Sequence, residues 1–436
     1  MKVEVQWKKL VKPSVPTTNN RQKWKLTSLD QLHTPIYMGI MFFYRDNAEN
    51  PGVDIPQRLL QMEESLSETL SLFYPMAGRY IEDDGCFIDC NDLGVELVHA
   101  KVVGQIDPIL HGDPDIDLLD RLSCHPTDVV GNPLVVIQVN TFECGGLVIS
   151  VRFTHKIGDM YTMAMFINSW ATACRGNADA MVRPNFELSS LFPLKELAVP
   201  NLGPPPIGDK HLIMSRLRFS ADALSKLKAL ARDNAKDSMA SDLGPSRVEV
   251  VSALLCRAVV NICRHKHGER RTFMVCITVN LREKINLAIP ANSCGNLVTA
   301  VWVRSGQPTA GKIELEFEGM VNVMRDMIAD AKTKYPRVAD GEELCSMVGD
   351  SLAEFLKIKA RGEDCLFAFS SWCRFGLYGN DFGWGRPVLV STAPGNFELI
   401  ILIDDEESGG IDAWITTDED KMILLKQDPE ILKFTS

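Results

Sequence analysis

The chain has 436 residues, 45% of them hydrophobic and 24% charged, with a formal net charge of −11. That composition belongs to a folded globular protein with room for two or three domains, and it excludes a disordered or fibrous chain. The acidic balance argues against nucleic acid as a partner, which would call for a basic face.

The first residues, Met1 to Lys9, contain no apolar stretch of the kind that opens a secretory signal, and no apolar run approaches the ~20 residues of a membrane helix. A cytoplasmic protein with no membrane partner is expected. Leu10 to Pro16 is a proline-marked entry, and Trp24 to Asp30 carries turn chemistry. Ile36 to Tyr44 is predicted as a strand. Pro56 to Leu72 is predicted as a helix, from the spacing of Leu59, Leu60, Met62, Leu66 and Leu70 behind a starting proline. Pro75 and Gly78 force an exit from it. Cys86 to Val95 gives a strand and a tight turn, and Leu134 to Phe142 a long strand. Cys144-Gly145-Gly146 turns that strand back into Leu147 to Phe153, so the two are predicted to pair antiparallel.

Asn201-Leu202-Gly203-Pro204-Pro205-Pro206-Ile207-Gly208 is too rich in proline for a helix or a central strand. It divides the chain into an N-terminal domain (1–198), a crossover linker (199–212) and a C-terminal domain (213–436). Beyond it come helices over Ala221 to Asp233, Arg247 to about His265, and Ile313 to Tyr335. Strands are predicted at Val275 to Asn280, Gly295 to Trp302, Cys365 to Ser371, Val388 to Val390, Leu399 to Ile403 and Ile411 to Ile415. No repeat of 20–50 residues is visible. The mixture indicates the α/β class.

Thr154-His155-Lys156-Ile157-Gly158-Asp159-Met160 stands where a buried strand hands over to a helix, whose apolar residues recur at Met160, Met163, Ala164, Ile167, Ala171 and Cys174. Asp159 falls at the helix N-cap, a place that favours a carboxylate. A neutral imidazole at a rigid strand end, with a reference pKa of ~6.5, can take a proton from a hydroxyl near pH 7. On its own, His155 is equally readable as a buried structural histidine. The 12 cysteines are scattered, many in apolar runs, with no second pair at zinc-ribbon spacing. None neighbours a histidine in a nucleophile motif, and His155 with Asp159 has no nearby third ligand, so reduced thiols and no metal are expected. Far downstream, Asp381-Phe382-Gly383-Trp384-Gly385 reads as a tight turn whose indole packs on a core.

His155 to Asp159 in mid-chain, paired with Asp381 to Gly385 near the C-terminus, resembles the BAHD acyltransferases, plant enzymes that move acyl groups from coenzyme A. Leu72 to Arg79, Cys90-Asn91-Asp92, Arg247-Val248-Glu249, Val279 to Arg282 and Ser371 to Phe375 are similar to further family landmarks in family order, so the resemblance covers nearly the whole chain. Cys144-Gly145-Gly146 and Ser371-Trp372-Cys373-Arg374 look most like the branch holding vinorine synthase and deacetylvindoline acetyltransferase. Thr154 departs from the serine usual before the histidine, but keeps a hydroxyl.

The resemblance implies two similar-sized chloramphenicol-acetyltransferase-like domains, mixed sheets flanked by helices, with a solvent channel between them. It further implies that a segment near 380–402 packs with the N-terminal domain. His155 would be the general base for direct transfer, without an acyl-enzyme. Trp372, helped by Ser370, is the oxyanion-donor candidate. Asp159 would pair with Arg282 and anchor the motif, while Asp381, Gly383, Trp384 and Gly385 would be structural. Ser252, Asn296 and Ser370 are the candidate coenzyme A contacts, since no glycine-rich phosphate loop is present. The implied reaction is acetyl transfer from acetyl-CoA to a hydroxyl of an alkaloid or terpenoid type of specialised metabolite, by a monomer. A longer or aromatic acyl-CoA, a sugar-ester or amine acceptor, and a catalytically idle ligand-binding member of the fold are the alternatives.

Overall fold

The computed structural model describes residues 1–46, 54–82, 86–124, 126, 129–194, 211–233, 244–267, 272–305, 316–361 and 365–435. Most of the proposed linker therefore lies outside the described residues.

Two six-stranded mixed sheets organise the described chain. Across the first run β1 (Lys2–Val11), β6 (Val95–Val103), β7 (Val135–Phe142), β8 (Leu147–Thr154), β3 (Tyr37–Tyr44) and β13 (Leu389–Thr392). Across the second run β11 (Val298–Arg304), β10 (Phe273–Asn280), β12 (Cys365–Ser371), β14 (Leu399–Asp405), β15 (Gly410–Asp418) and β9 (Leu212–Phe219). A small third sheet joins β2 (Lys23–Lys25), β5 (Phe87–Asp89) and β4 (Arg79–Ile81). The pairs β6–β7, β10–β12 and β12–β14 are parallel. As the glycine turn predicts, β7 and β8 are antiparallel, with Val135 opposite Phe153 and Thr141 opposite Leu147. Every residue of β8 is buried, the polar Ser150, Arg152 and Thr154 included.

Each large sheet carries its own core. In the first, the helices Ile55–Leu72 and Met160–Cys174 pack on one another. Trp170 donates its indole N–H to the Met62 carbonyl at 3.0 Å, and Phe73 meets Phe166 edge to face, centroids 5.5 Å apart. Phe153, Phe166 and Trp170 are fully buried, and each such aromatic or aliphatic side chain stabilises by about 1.5–3 kcal/mol through area removed from water. The second core lies between the second sheet and the helices Ala221–Asp233, Arg247–His267 and Phe317–Lys334.

Strand β13 belongs by sequence to the C-terminal half, yet it pairs with β3 in the first sheet, Leu389 opposite Phe43. Just before it, the Asp381–Gly385 loop sits in the first core. Asp381 Oδ1 accepts from the N–H groups of Gly383 (2.8 Å) and Gly385 (2.9 Å), and both glycines have φ above 100°, a backbone that other residues rarely adopt. Trp384 stacks on Phe382 at 5.7 Å and meets the Tyr44 edge at 6.3 Å. The Arg58 guanidinium lies over its ring at 5.5 Å.

Several elements differ from the sequence reading, the strands β6 and β9 among them, which it does not predict. The entry segment is preceded by the edge strand β1, which pairs with β6 alone. The long helix is described over Phe317–Lys334; its expected first residues, 313–315, lie outside the described set. A further helix, Gly341–Ala360, follows it, capped by the Asp340 carboxylate on the Glu343 N–H. Among the described residues, no helix is long and apolar enough to cross a membrane.

Candidate active site

Strand β8 ends at Thr154, whose side chain accepts from the Lys156 N–H at 3.3 Å. A single tight turn, His155–Ile157, then carries the chain over to the helix at Met160. Gly158 is required between them, because a Cβ there would come within 2.8 Å of the Thr162 side chain. Asp159 occupies the N-cap, accepting from the Thr162 N–H at 3.0 Å. The expected strand–turn–helix is therefore present, and it fixes where His155 stands.

The Asp159 carboxylate faces away from His155. Arg282 Nη1 donates to its Oδ2 at 2.6 Å and Nη2 to its Oδ1 at 3.2 Å, and the Leu297 N–H adds a bond of 3.0 Å. Arg282 and Asp159 side chains are only 6% and 3% exposed. Burial by itself pushes the Asp159 carboxyl up, but the Arg282 charge and the donated bonds outweigh it and hold the pKa below 3.8. Arg282 also reaches the Gly295 carbonyl at 3.1 Å and lies over the Tyr161 ring at 4.3 Å.

His155 borders a cavity of about 1160 Å³. The exposed face of the second sheet forms one wall through Thr278, Val298, Ala300, Leu366 and Ala368. The Gly341–Ala360 helix forms another through Val348, Leu352 and Phe355. At the far end lie Lys266, Glu398, Asp418 and Lys421, paired with one another by Lys421–Glu398 at 2.7 Å and Lys266–Asp418 at 3.8 Å. The Nδ1 of His155 is buried without a hydrogen-bond partner. Burial is the main cause that draws the His155 pKa below 6.5. Its own backbone, the Asp159 charge and Asn296 oppose the shift, while Lys156 adds to it. The ring is thus neutral at pH 7, the form that accepts a proton.

Asn296 lies behind this turn. It is fully buried, and its amide donates to Asp30 Oδ1 (2.9 Å) and to the His155 carbonyl (2.8 Å). Both its side-chain donors are spent on protein. Ser252 is buried within the Arg247–His267 helix at 2% exposure and is not on the cavity wall. Ser370 is half-buried on β12 and shares a face with the cavity residues Leu366 and Ala368. Trp372 lies just beyond the end of β12, 5% exposed and packed with the first core; its backbone N–H donates to the Leu402 carbonyl at 2.8 Å, and neither it nor Ser370 is among the residues lining the cavity. Asp381, Gly383, Trp384 and Gly385 form the packing loop described above, away from the cavity.

Sequence reasoning missed His33, whose ring stacks on that of His155, and Asp30, the buried carboxylate behind Asn296. Asp30 had a signal, because Thr27 and Asp30 form a capping box; His33 had none. No disulfide joins any of the twelve cysteines. Two of them, Cys263 and Cys365, line the cavity, and a hydrogen bond with Cys365, reinforced by burial, pushes the Cys263 thiol up. Among the described residues, no three His, Cys, Asp or Glu side chains are grouped to hold a metal ion.

The chain is 37% identical over 444 residues to an acetyl-CoA-benzylalcohol acetyltransferase of Clarkia breweri, covering all of both chains. It is 35% identical to an epi-neemfruitin B 7-O-acetyltransferase of Melia azedarach, covering 100% of this chain and 98% of that one. The crystal structure of vinorine synthase superimposes with a TM-score of 0.81 at 28% identity, over 100% of this chain and 99% of that one. The family model described as the Transferase family matches residues 1–432. The chain belongs to that Transferase family, the BAHD acyltransferases, and is an acyl-CoA-dependent acyltransferase.

Proposed function

We propose that this enzyme transfers the acetyl group of acetyl-CoA to a hydroxyl of an apolar plant specialised metabolite of alkaloid or terpenoid type, with His155 as the general base. The observation that carries this reading is a neutral, buried imidazole on the wall of a largely apolar cavity, with its neighbouring carboxylate engaged elsewhere. With Nδ1 buried, Nε2 is the nitrogen left for substrate. It takes the proton of the acceptor hydroxyl as the oxygen attacks the thioester carbonyl, giving a tetrahedral oxyanion. The C–S bond then breaks, and the imidazolium returns its proton to the departing thiolate of coenzyme A. Holding both substrates together supplies much of the rate, so no acyl-enzyme is needed. The Trp372 indole N–H is the proposed oxyanion donor, with Ser370 beside it. Ser370 is also a candidate coenzyme A contact, with Ser252 and Asn296.

The acetyl donor and the acceptor class are supported by the relatives acting on benzyl alcohol and on epi-neemfruitin B. The size of the cavity and its apolar walls fit the same acceptors. The enzyme is proposed to act as a cytoplasmic monomer of two domains, 1–198 and 213–436.

The test is release of free coenzyme A thiol from acetyl-CoA with a panel of alcohols. Wild-type protein should turn over at least one of them, and His155→Ala should lose about 10²–10⁴-fold in kcat while still folding and binding acetyl-CoA. Near wild-type turnover by His155→Ala would overturn the mechanism. Saturable binding of the alcohols with no thiol release by the wild type would make the protein an idle binding member of the fold.

A further inference from the structure

The orientation of a catalytic imidazole is usually set by what its second nitrogen bonds, most often a carboxylate or a backbone carbonyl. Here no carboxylate does so. Asp159 is held by Arg282, and the polar neighbours of the His155 ring are its own backbone and Asn296, neither of them making a well-aligned hydrogen bond to the buried Nδ1. The imidazole torsion is intrinsically broad, so a contact on the face of the ring helps to fix its plane.

The feature in position to do so is His33. Its ring lies on that of His155 with centroids 4.2 Å apart and planes 15° from parallel, and both side chains line the cavity. The two segments are tied together around the stack. His155 N–H donates to the Ile36 carbonyl at 2.9 Å, and Lys156 Nζ donates to the Gln31 carbonyl at 3.2 Å. Asn296 bridges Asp30 and the His155 carbonyl. His33 itself follows the capped turn Ser28–Gln31, its N–H on the Asp30 carbonyl at 3.3 Å.

We propose that His33 is a positioning residue of the reaction, setting the plane of the His155 ring by stacking in place of the usual carboxylate. The proposal rests on the reading of His155 as the base. The stack works with both rings uncharged, since two imidazolium ions at this separation would repel. Burial draws the His33 pKa well below 6.5, and the neighbouring His155 and Lys156 lower it further. The other titratable groups around the pair are Asp30, reached through Asn296, and the Asp159–Arg282 pair; His211 lines the same cavity.

The test compares His33→Phe, which keeps a flat ring, with His33→Leu, which does not. Turnover is measured with acetyl-CoA and benzyl alcohol, and the ¹⁵N resonances of the His155 ring are followed by NMR. His33→Leu should lose about 10–100-fold in kcat with the KM for acetyl-CoA unchanged, while His33→Phe stays within about threefold of wild type. The acid limb of kcat/KM should stay in place in His33→Phe, because one uncharged ring replaces another. In NMR, wild type and His33→Phe should show one ordered tautomer of His155, and His33→Leu a mixture. Should the leucine variant melt early, His33→Asn makes the same comparison. A phenylalanine variant as slow as the leucine one would overturn the proposal by showing that a ring nitrogen is needed, and full turnover by His33→Leu would overturn it outright. The NMR readout needs no turnover, so absence of transfer to any alcohol would count against the acyl-transfer reading and leave the stack to be judged on ring order alone.

Discussion

Replacing Arg282 by methionine isolates what holds the catalytic turn in shape. The Asp159 carboxylate accepts from Arg282 Nη1 (2.6 Å) and Nη2 (3.2 Å), from Thr162 N (3.0 Å) and Oγ1 (3.2 Å), and from Leu297 N (3.0 Å). The variant removes the first two, charge-assisted bonds worth about 1.5–3 kcal/mol each. Because the pair is almost fully buried, the stranded carboxylate should cost about 3–5 kcal/mol in total. That is a large share of the ~5–15 kcal/mol by which a typical domain is stable. Asp159→Asn keeps the N-cap and loses the same ion pair, so it should be destabilised by a comparable amount. The double variant should be no worse than either single one, since the pair acts as a unit. Denaturant titration and turnover, measured side by side, should show stability and activity falling together. An Asp159→Asn protein of full stability and no turnover would refute the reasoning and make Asp159 a partner of the imidazole.

Two further outcomes bear on the chemistry. His155 must be neutral to act, and its pKa lies below 6.5, so the acid limb of kcat/KM should fall below pH 6.5; a limb at or above that value would contradict the buried, uncharged ring. The same depression means that the folded state binds protons less readily than the unfolded one, so stability from His155 and His33 is complete above ~pH 6.5 and declines as the pH drops below it. Trp372→Phe keeps the ring and removes the N–H, so an oxyanion role predicts a loss of about 10²–10³ in kcat with little change in KM; unchanged kcat would reduce Trp372 to a wall.

What could be read from the sequence follows the range of the forces involved. The β7–β8 hairpin and the Asp159-capped helix are local: alternation, a glycine turn and a cap residue specify them within thirty or so positions, and the structure has them where expected. The Asp159–Arg282 pair spans 123 residues and came from resemblance, because no spacing rule links such distant charges. The Gly341–Ala360 helix was obscured by Gly341 and Gly349, which interrupt the pattern that Leu344, Cys345 and Val348 would otherwise show. The His33 stack was not legible at all, since it exists only once Asn296, from a third segment, holds the two turns together. Asn296 is expected from the resemblance as a coenzyme A contact, and its two amide donors go to Asp30 and the His155 carbonyl, which a sequence does not show.

The pairing of β13 with β3 has a consequence for how the protein is made. Until Leu389–Thr392 has left the ribosome, β3 has no partner on that side, although its neighbour β8 is long complete. An unpaired edge of Met41, Phe42 and Phe43, all fully buried in the finished protein, is a template for association with other chains. The first sheet therefore gains its last strand only when nearly nine-tenths of the chain exists, and pairings so distant in sequence raise the contact order and slow folding. Fusions, truncations or stalled translation upstream of residue 389 would each leave this sheet unpaired along β3, the neighbour of the strand that leads to the catalytic turn.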